Sequence, residues 1–328
     1  MEGARILTIC NACRYCEGFC AVFPAIERRT NFAAADLNYL ANLCHNCGEC
    51  YYACQYAPPH EFAVNVPKTL AEIRVRSYRQ YAWPRPMGNW LTVPVLIAGL
   101  AVGIFGARTN VAPANFYAAI PHGIMVAIFG TVGVFVLTAL IAGLLRFWRE
   151  SEVSLPVTVA ALQRALSNAL TLRYLSGTPR SWFHHLTSYG FLLCFASTTV
   201  AAFYHYAFRW RAPYGYLSLP VVLGTLGGIG LIAGPAGLFW LKQRQDAATR
   251  DPGHDRMDRA FLTLLFFTGA TGLLLLALRE TRAMPLLLAV HLAVVLALFV
   301  SLPYGKFVHG IYRLAALLRY ALERPGAN

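Results

Sequence analysis

Six apolar runs, at about 90–106, 119–147, 182–204, 216–241, 260–278 and 284–303, are each long enough to cross a hydrocarbon core of ~30 Å as a helix. They commit most of the chain to one architecture, a bundle of transmembrane helices. Composition agrees: 13% of the 328 residues are charged and 57% are hydrophobic, against roughly a quarter charged in an ordinary soluble domain. Orientation follows from basic residues, which collect on cytoplasmic flanks. With the amino terminus inside, segments 1–89, 146–180, 242–259 and 306–328 hold 23 of the 28 Lys and Arg residues, and only Arg108, Arg209, Arg211, Arg279 and Arg282 face out. The net charge of +13 therefore reads as topology, and nucleic acid is not expected as a partner. No apolar run precedes Cys10, so no signal peptide exports the amino-terminal segment, and it is expected in the cytoplasm.

Several features of the apolar body have structural readings. The six tryptophans lie at the ends of the runs, where an amphipathic ring prefers the headgroup level. Gly224, Gly227, Gly228, Gly230 and Gly234 include GIGLIA, a loose match to a dinucleotide fingerprint; lacking a preceding strand, it reads as close helix packing. Residues 151–175, with Leu162, Leu166 and Leu170 among scattered arginines, predict a helix lying along the inner lipid surface.

Eight of the nine cysteines fall in the first 54 residues, as two runs of C-x2-C-x2-C-x3-C: CNACRYCEGFC and CHNCGECYYAC. Three thiolates two residues apart wrap three corners of an iron–sulfur cube, while the fourth lies too far along to close the same cube and ligates the other one. The pattern predicts two [4Fe–4S] clusters, one on Cys10, Cys13, Cys16 and Cys54, the other on Cys44, Cys47, Cys50 and Cys20. Disulfides would need an oxidising compartment, and structural zinc more often uses two separated C-x2-C pairs. Between the runs, TNFAAADLNYLANL suits a helix capped by Thr30 or Asn31. Pro24 and Pro58 stand four residues after the fourth cysteines, where a bacterial ferredoxin has proline directly after. The head is therefore expected to be a helical two-cluster ferredoxin without a substrate pocket. No C-x-x-C-H is present, which excludes covalent c-type haem.

Ionisable residues within spanning helices are candidate functional residues. His184 or His185, at the inner end of the third run, and His309, just past the sixth, predict an inner pair of haem b ligands. His205 or His122 with His291 predict an outer pair. His291 and His309 are eighteen residues apart, five turns at 3.6 residues per turn, and share a face if the helix stays regular through Pro303. His45 and His60 beside the cysteine runs are expected to be structural or to tune potential. His254 is expected in a loop.

CNACRYCEGFC, CHNCGECYYACQYAPPHEF, SWFHHLTSYGFLLCF, LGTLGGIGLIAGPAGL and LPYGKFVHGIYR together resemble the CitB or TcuB family, tricarballylate utilization protein B, from Cys10 to about Tyr312. The membrane part also resembles the gamma subunit of respiratory nitrate reductase through FVHG and the preceding His291, although that family's closer histidine pair on one helix is not reproduced. The resemblance implies an FAD-dependent dehydrogenase of the tricarballylate dehydrogenase type as electron donor and the quinone pool as acceptor. The expected protein is all-α: a cytoplasmic dicluster ferredoxin-like domain over residues 1–80 and a six-helix transmembrane electron-transfer domain over 81–328. It is expected in a bacterial-type cytoplasmic (inner) membrane as the electron-transfer subunit of an oxidoreductase system. Two other classes fit less of the chain: a transporter with a redox-sensing iron–sulfur head, whose helices would need buried polar sites, and a zinc-stabilised interaction module on a membrane anchor.

Overall fold

The structure, a computed structural model, describes residues 2–84, 99, 111–112, 114–153, 155–175 and 178–324, and among these there is no β-strand. The head is built from five helices: α1 (Glu2–Cys13), α2 (Val22–Ile26), α3 (Ala34–Leu43), α4 (Glu49–Tyr52) and α5 (Val66–Tyr81). α3 starts later than its sequence suggests. Its N-cap is Ala33, with no side-chain cap bond, rather than Thr30 or Asn31. α5 has the expected start signals: the Asn65 side chain accepts from Lys68 N–H at 3.2 Å, and Pro67 sits in the first turn.

The remaining helices are α6 (Phe116–Ala119), α7 (His122–Glu150), α8 (Val159–Leu170), α9 (Pro179–Ala207), α10 (Leu219–Gln243), α11 (Pro252–Leu278), α12 (Met284–Ser301) and α13 (Val308–Glu323). Five stretches, α7, α9, α10, α11 and Met284–Glu323, are long and apolar enough to cross a membrane. The first predicted run, 90–106, lies outside the described residues except for Gly99.

Small residues set the closest helix pair. A Cβ on Gly190 of α9 would stand 2.9 Å from the Gly230 backbone of α10, and one on Gly227 would stand 2.7 Å from Cys194 Sγ. Gly230 and Gly234 are blocked in the same way by Leu186 and Thr187. Without side chains at these points the two backbones touch, which is how helices gain dispersion energy where lipid leaves no hydrophobic drive between them. The GIGLIA segment is part of this seam.

The last helix is interrupted. Residues 302–304 form a 3-10 turn carrying Pro303, and α13 begins afresh at Val308. Proline removes a backbone donor and clashes with the preceding turn, so the regular five-turn register expected between His291 and His309 is not kept. α13 instead joins the head: Val308, Tyr312, Ala316 and Leu317 are buried in one core with Ile6, Leu7, Phe23, Leu40 and Leu70. On its other side Ala161 of α8 packs with Ala321 and Leu322, while Leu162, Leu166 and Leu170 stay exposed along one stripe. This is the arrangement expected for a helix lying along a lipid surface.

Head and helices are tied by ions. Arg29 Nε lies 2.7 Å from Asp36, and its Nη2 2.7 Å from Glu323 of α13. Arg319 lies 2.9 Å from Glu323 and 3.4 Å from Asp36. Both guanidiniums lie over the Tyr39 ring, 4.8 and 4.2 Å from its centroid. Asn38 donates to Glu150 at the end of α7 at 2.7 Å, and Asn65 to the Ala248 carbonyl at 2.8 Å. The head thus packs against the ends of the bundle that the basic residues assign to the inside. At the opposite end Arg279 donates to the Tyr214 carbonyl at 2.7 Å.

Candidate metal centres

The local backbone explains how each run of cysteines is presented. Cys10 and Cys13 occupy the last turn of α1, three residues apart and so on one face. Arg14 then takes a left-handed conformation, φ 56°, which ends the helix and swings the chain through residues 15–19 to Cys16 and Cys20. In the second run Cys44 is the C-cap of α3, and Cys50 lies in α4. Between them Asn46 and Gly48 adopt φ 57° and 94°. These residues accept left-handed backbone most readily, and they turn the loop so that Cys47 faces the thiols on either side.

All nine cysteines are free thiols. Cys10, Cys13, Cys16 and Cys54 line one cavity of about 30 Å³ with Ile9, Tyr15, Phe23, Gln55, Tyr56 and Val64. Cys20, Cys44, Cys47 and Cys50 line a second of about 250 Å³, with Phe23 again in the wall. The two sets are the two fours that the crossed spacing predicts, and one phenylalanine separates the cavities. Among the described residues no group of three or more His, Cys, Asp or Glu side chains converges tightly enough to hold a single metal ion; the thiols ring cavities instead. Burial pushes the Cys10 and Cys20 thiols up to about 12, and neighbouring thiols add to it. Cys16 is held at about 11 for the same reasons. Metal binding at such thiols must displace protons. Gln55 Nε2 lies 3.8 Å from Cys13 Sγ, and Asn46 N–H donates to Cys44 Sγ at 3.2 Å.

The second cavity abuts the membrane helices. Its wall includes His45, whose ring meets that of His184 on α9 edge to face, 6.5 Å between centroids at 82°. Burial keeps the His45 imidazole well below its ordinary pKa and therefore neutral. His184 Nδ1 is hydrogen-bonded to Ser188 Oγ at 3.2 Å, and His309 Nδ1 to the Tyr78 hydroxyl at 3.1 Å. A metal-bound imidazole is commonly oriented by a bond at its other nitrogen, so both inner histidines are oriented as Nε2 ligands would be. His185 instead stacks on Tyr189, 5.6 Å between centroids.

The outer candidates are arranged differently. His122 and His205 stack on each other, 4.1 Å between centroids at 18°, with Tyr117 edge-on to both. His291 is hydrogen-bonded to Thr271 Oγ1 of α11 at 2.9 Å, packed where a Cβ on Gly272 would lie 3.1 Å from its ring.

Sequence reading missed the polar layer beneath the second cavity. Arg74, fully buried, donates to the Ala41 carbonyl at 2.9 and 2.7 Å and to the Cys44 carbonyl at 2.5 Å. Its Nη1 lies 3.0 Å from His254 Nε2, and Lys306 Nζ 2.8 Å from the same nitrogen. Two cationic donors on one nitrogen make it the acceptor, so the imidazole proton sits on Nδ1, facing Asp258 at 3.5 Å. His254 is thus a buried residue in the first turn of α11, not a loop residue. Asp258 is paired with Lys242 at 2.7 Å and Lys306 at 2.9 Å. Arg180 donates to the Asn46 carbonyl at 2.7 Å and the His45 carbonyl at 3.4 Å. Arg313 of α13 donates to the Leu43 carbonyl.

Comparison with known proteins places these features in one family. Residues 3–80 match the citrate utilization protein B Fer4-like domain, and residues 91–328 match citrate utilization protein B. Citrate utilization protein B of Escherichia coli is 49% identical over 350 residues, covering 98% of this chain and 92% of that protein. No solved structure matches. The chain belongs to the citrate utilization protein B family.

Proposed function

We propose that the protein is a membrane-bound electron-transfer protein serving citrate or tricarballylate utilization. It would be the electron-transfer subunit of an oxidoreductase system in a bacterial-type cytoplasmic membrane. Residues 1–80 form the cytoplasmic redox head and residues 81–328 the membrane domain. A partner FAD-dependent dehydrogenase of the tricarballylate dehydrogenase type delivers electrons, and the quinone pool receives them. When bound, two [4Fe–4S] clusters and a haem b supply one-electron carriers that amino-acid side chains cannot.

The observation that carries the reading is the partition of eight thiols into two fours around neighbouring cavities that share Phe23. Cys10, Cys13, Cys16 and Cys54 hold the outer centre of the head. Cys20, Cys44, Cys47 and Cys50 hold the one next to His45. The chain's own residues do three things there: the left-handed turns at Arg14, Asn46 and Gly48 orient the thiols, the shared core excludes water, and His184 with His309 offers the inner haem position.

The test is an anaerobic dithionite-reduced-minus-oxidised absorption spectrum of the detergent-purified protein, with iron and acid-labile sulfide counted on the same sample. Broad bleaching with sharp b-type bands and about eight irons per chain supports the whole route. Bleaching without those bands removes the haem, and a colourless, zinc-loaded protein overturns electron transfer altogether.

A further inference from the structure

The two thiol cavities differ most in their surroundings. The side chains other than cysteine that line the smaller one, Ile9, Tyr15, Phe23, Gln55, Tyr56 and Val64, carry no formal charge. The larger one stands over three guanidiniums, Arg74, Arg180 and Arg313, which all bind carbonyls of the segment 41–46 that carries Cys44 and leads into Cys47.

Among the described residues none of the three has a carboxylate within ion-pairing distance. Their partners are backbone carbonyls and, for Arg74, a neutral His254. The nearby anion, Asp258, is already shared by Lys242 and Lys306. Glu49 lies in the cavity wall but is exposed, so water and salt screen it, whereas charges at buried Arg74 and Arg313 are screened far less. A buried cation without a counter-charge costs several kcal/mol, and three together mark a position where an anion belongs. A centre held by four thiolates is such an anion, and it gains a further negative charge on reduction.

We infer that Arg74, Arg180 and Arg313 set the centre on Cys20, Cys44, Cys47 and Cys50 at a higher reduction potential than the centre on Cys10, Cys13, Cys16 and Cys54, and so fix the direction of electron flow from the head toward the membrane. The reasoning is that net charge and nearby dipoles tune such potentials, and cations favour the more negative, reduced form. One electron leaves the outer centre and reduces the inner one; the reduced flavin of the proposed partner is its source and quinone its sink. These arginines are positioning residues that touch neither substrate nor donor. The inference rests on the proposed function, and its failure is separable from failure of that reading.

The experiment is a redox titration of the full-length, cluster-loaded protein followed by electron paramagnetic resonance, with signals assigned through Cys54→Ser and Cys20→Ser, which each remove one set. Absence of iron and sulfide would sink the proposed function itself. With both centres present, the inner one is expected to titrate higher. Arg180→Gln, at a half-buried position, is expected to lower that potential alone by a tenfold change in its reduction equilibrium, about 59 mV for a one-electron couple, with Arg180→Lys restoring most of it. Arg313→Gln is expected to do the same where it folds, and Arg180 carries the test where it does not. An inner centre at or below the outer potential, or one unmoved by Arg180→Gln, overturns the inference.

Discussion

His45 and His184 meet edge to face across the boundary between head and membrane helices, 6.5 Å between ring centroids. One belongs to the cysteine loop and the other to α9, so the contact joins the segment carrying the second thiol set to the bundle. Replacing either by alanine is expected to slow quinone reduction by the dithionite-reduced protein at least about tenfold, and the double variant to fall no further, because residues acting through one contact are not additive. Anaerobic stopped-flow measurement checks this, with iron and sulfide contents unchanged.

The crossed arrangement of thiols gives a second prediction. Cys20→Ser combined with Cys44→Ser removes two ligands of one set and is expected to leave about four irons, whereas Cys10→Ser with Cys44→Ser strikes both sets and is expected to leave almost none. If each run held its own cluster, Cys20 with Cys44 would strip both. Iron and sulfide counts on the anaerobically purified variants decide between the two.

Along the seam of α9 and α10, Gly190→Leu is expected to destabilise the bundle by about 1–3 kcal/mol, the usual cost of forcing atoms into a packed site. Gly130→Ala on α7, where nothing lies within 4 Å, is expected to leave stability unchanged. Thermal unfolding in detergent, followed by circular dichroism, compares them.

The ion cluster between head and α13 is a fourth target. Glu323→Gln leaves Arg29 and Arg319 with Asp36 as their remaining carboxylate, and hydrogen bonds to charged groups contribute about 1.5–3 kcal/mol. The head is expected to become more susceptible to limited proteolysis while the membrane helices stay protected. Arg29 is nearly buried, 8% exposed, so raising salt should weaken the wild-type contact little.

The grouping of the first three cysteines of each run was legible because it depends on local spacing, whereas the place of Cys20 and Cys54 beside the other run's thiols depends on how segments 10–20 and 44–54 pack together. The membrane-length helices were legible for a similar reason, since run length and hydropathy are local. The roles of Arg74, Arg180, Arg313 and His254 were not, because each depends on a partner far along the chain: His254 lies 180 residues from Arg74, and nothing in DPGHDR signals burial. The N-terminus of α3 was misplaced because Thr30 and Asn31 are good caps that the tertiary fold leaves unused. The stacking of His122 on His205 was likewise invisible, since it is set by how the outer ends of α7 and α9 come together.

The interruption at Pro303 sends α13 back into the core of the head, beside Ile6 and Leu7. The segment that completes the core of the head is therefore synthesised some three hundred residues after the segment that begins it. Cys20 and Cys44 emerge from the ribosome early but gain the Arg313 side of their pocket only when the bundle has been threaded. A chain stalled before Val308 therefore lacks the part of the head's core that Val308, Tyr312 and Leu317 fill.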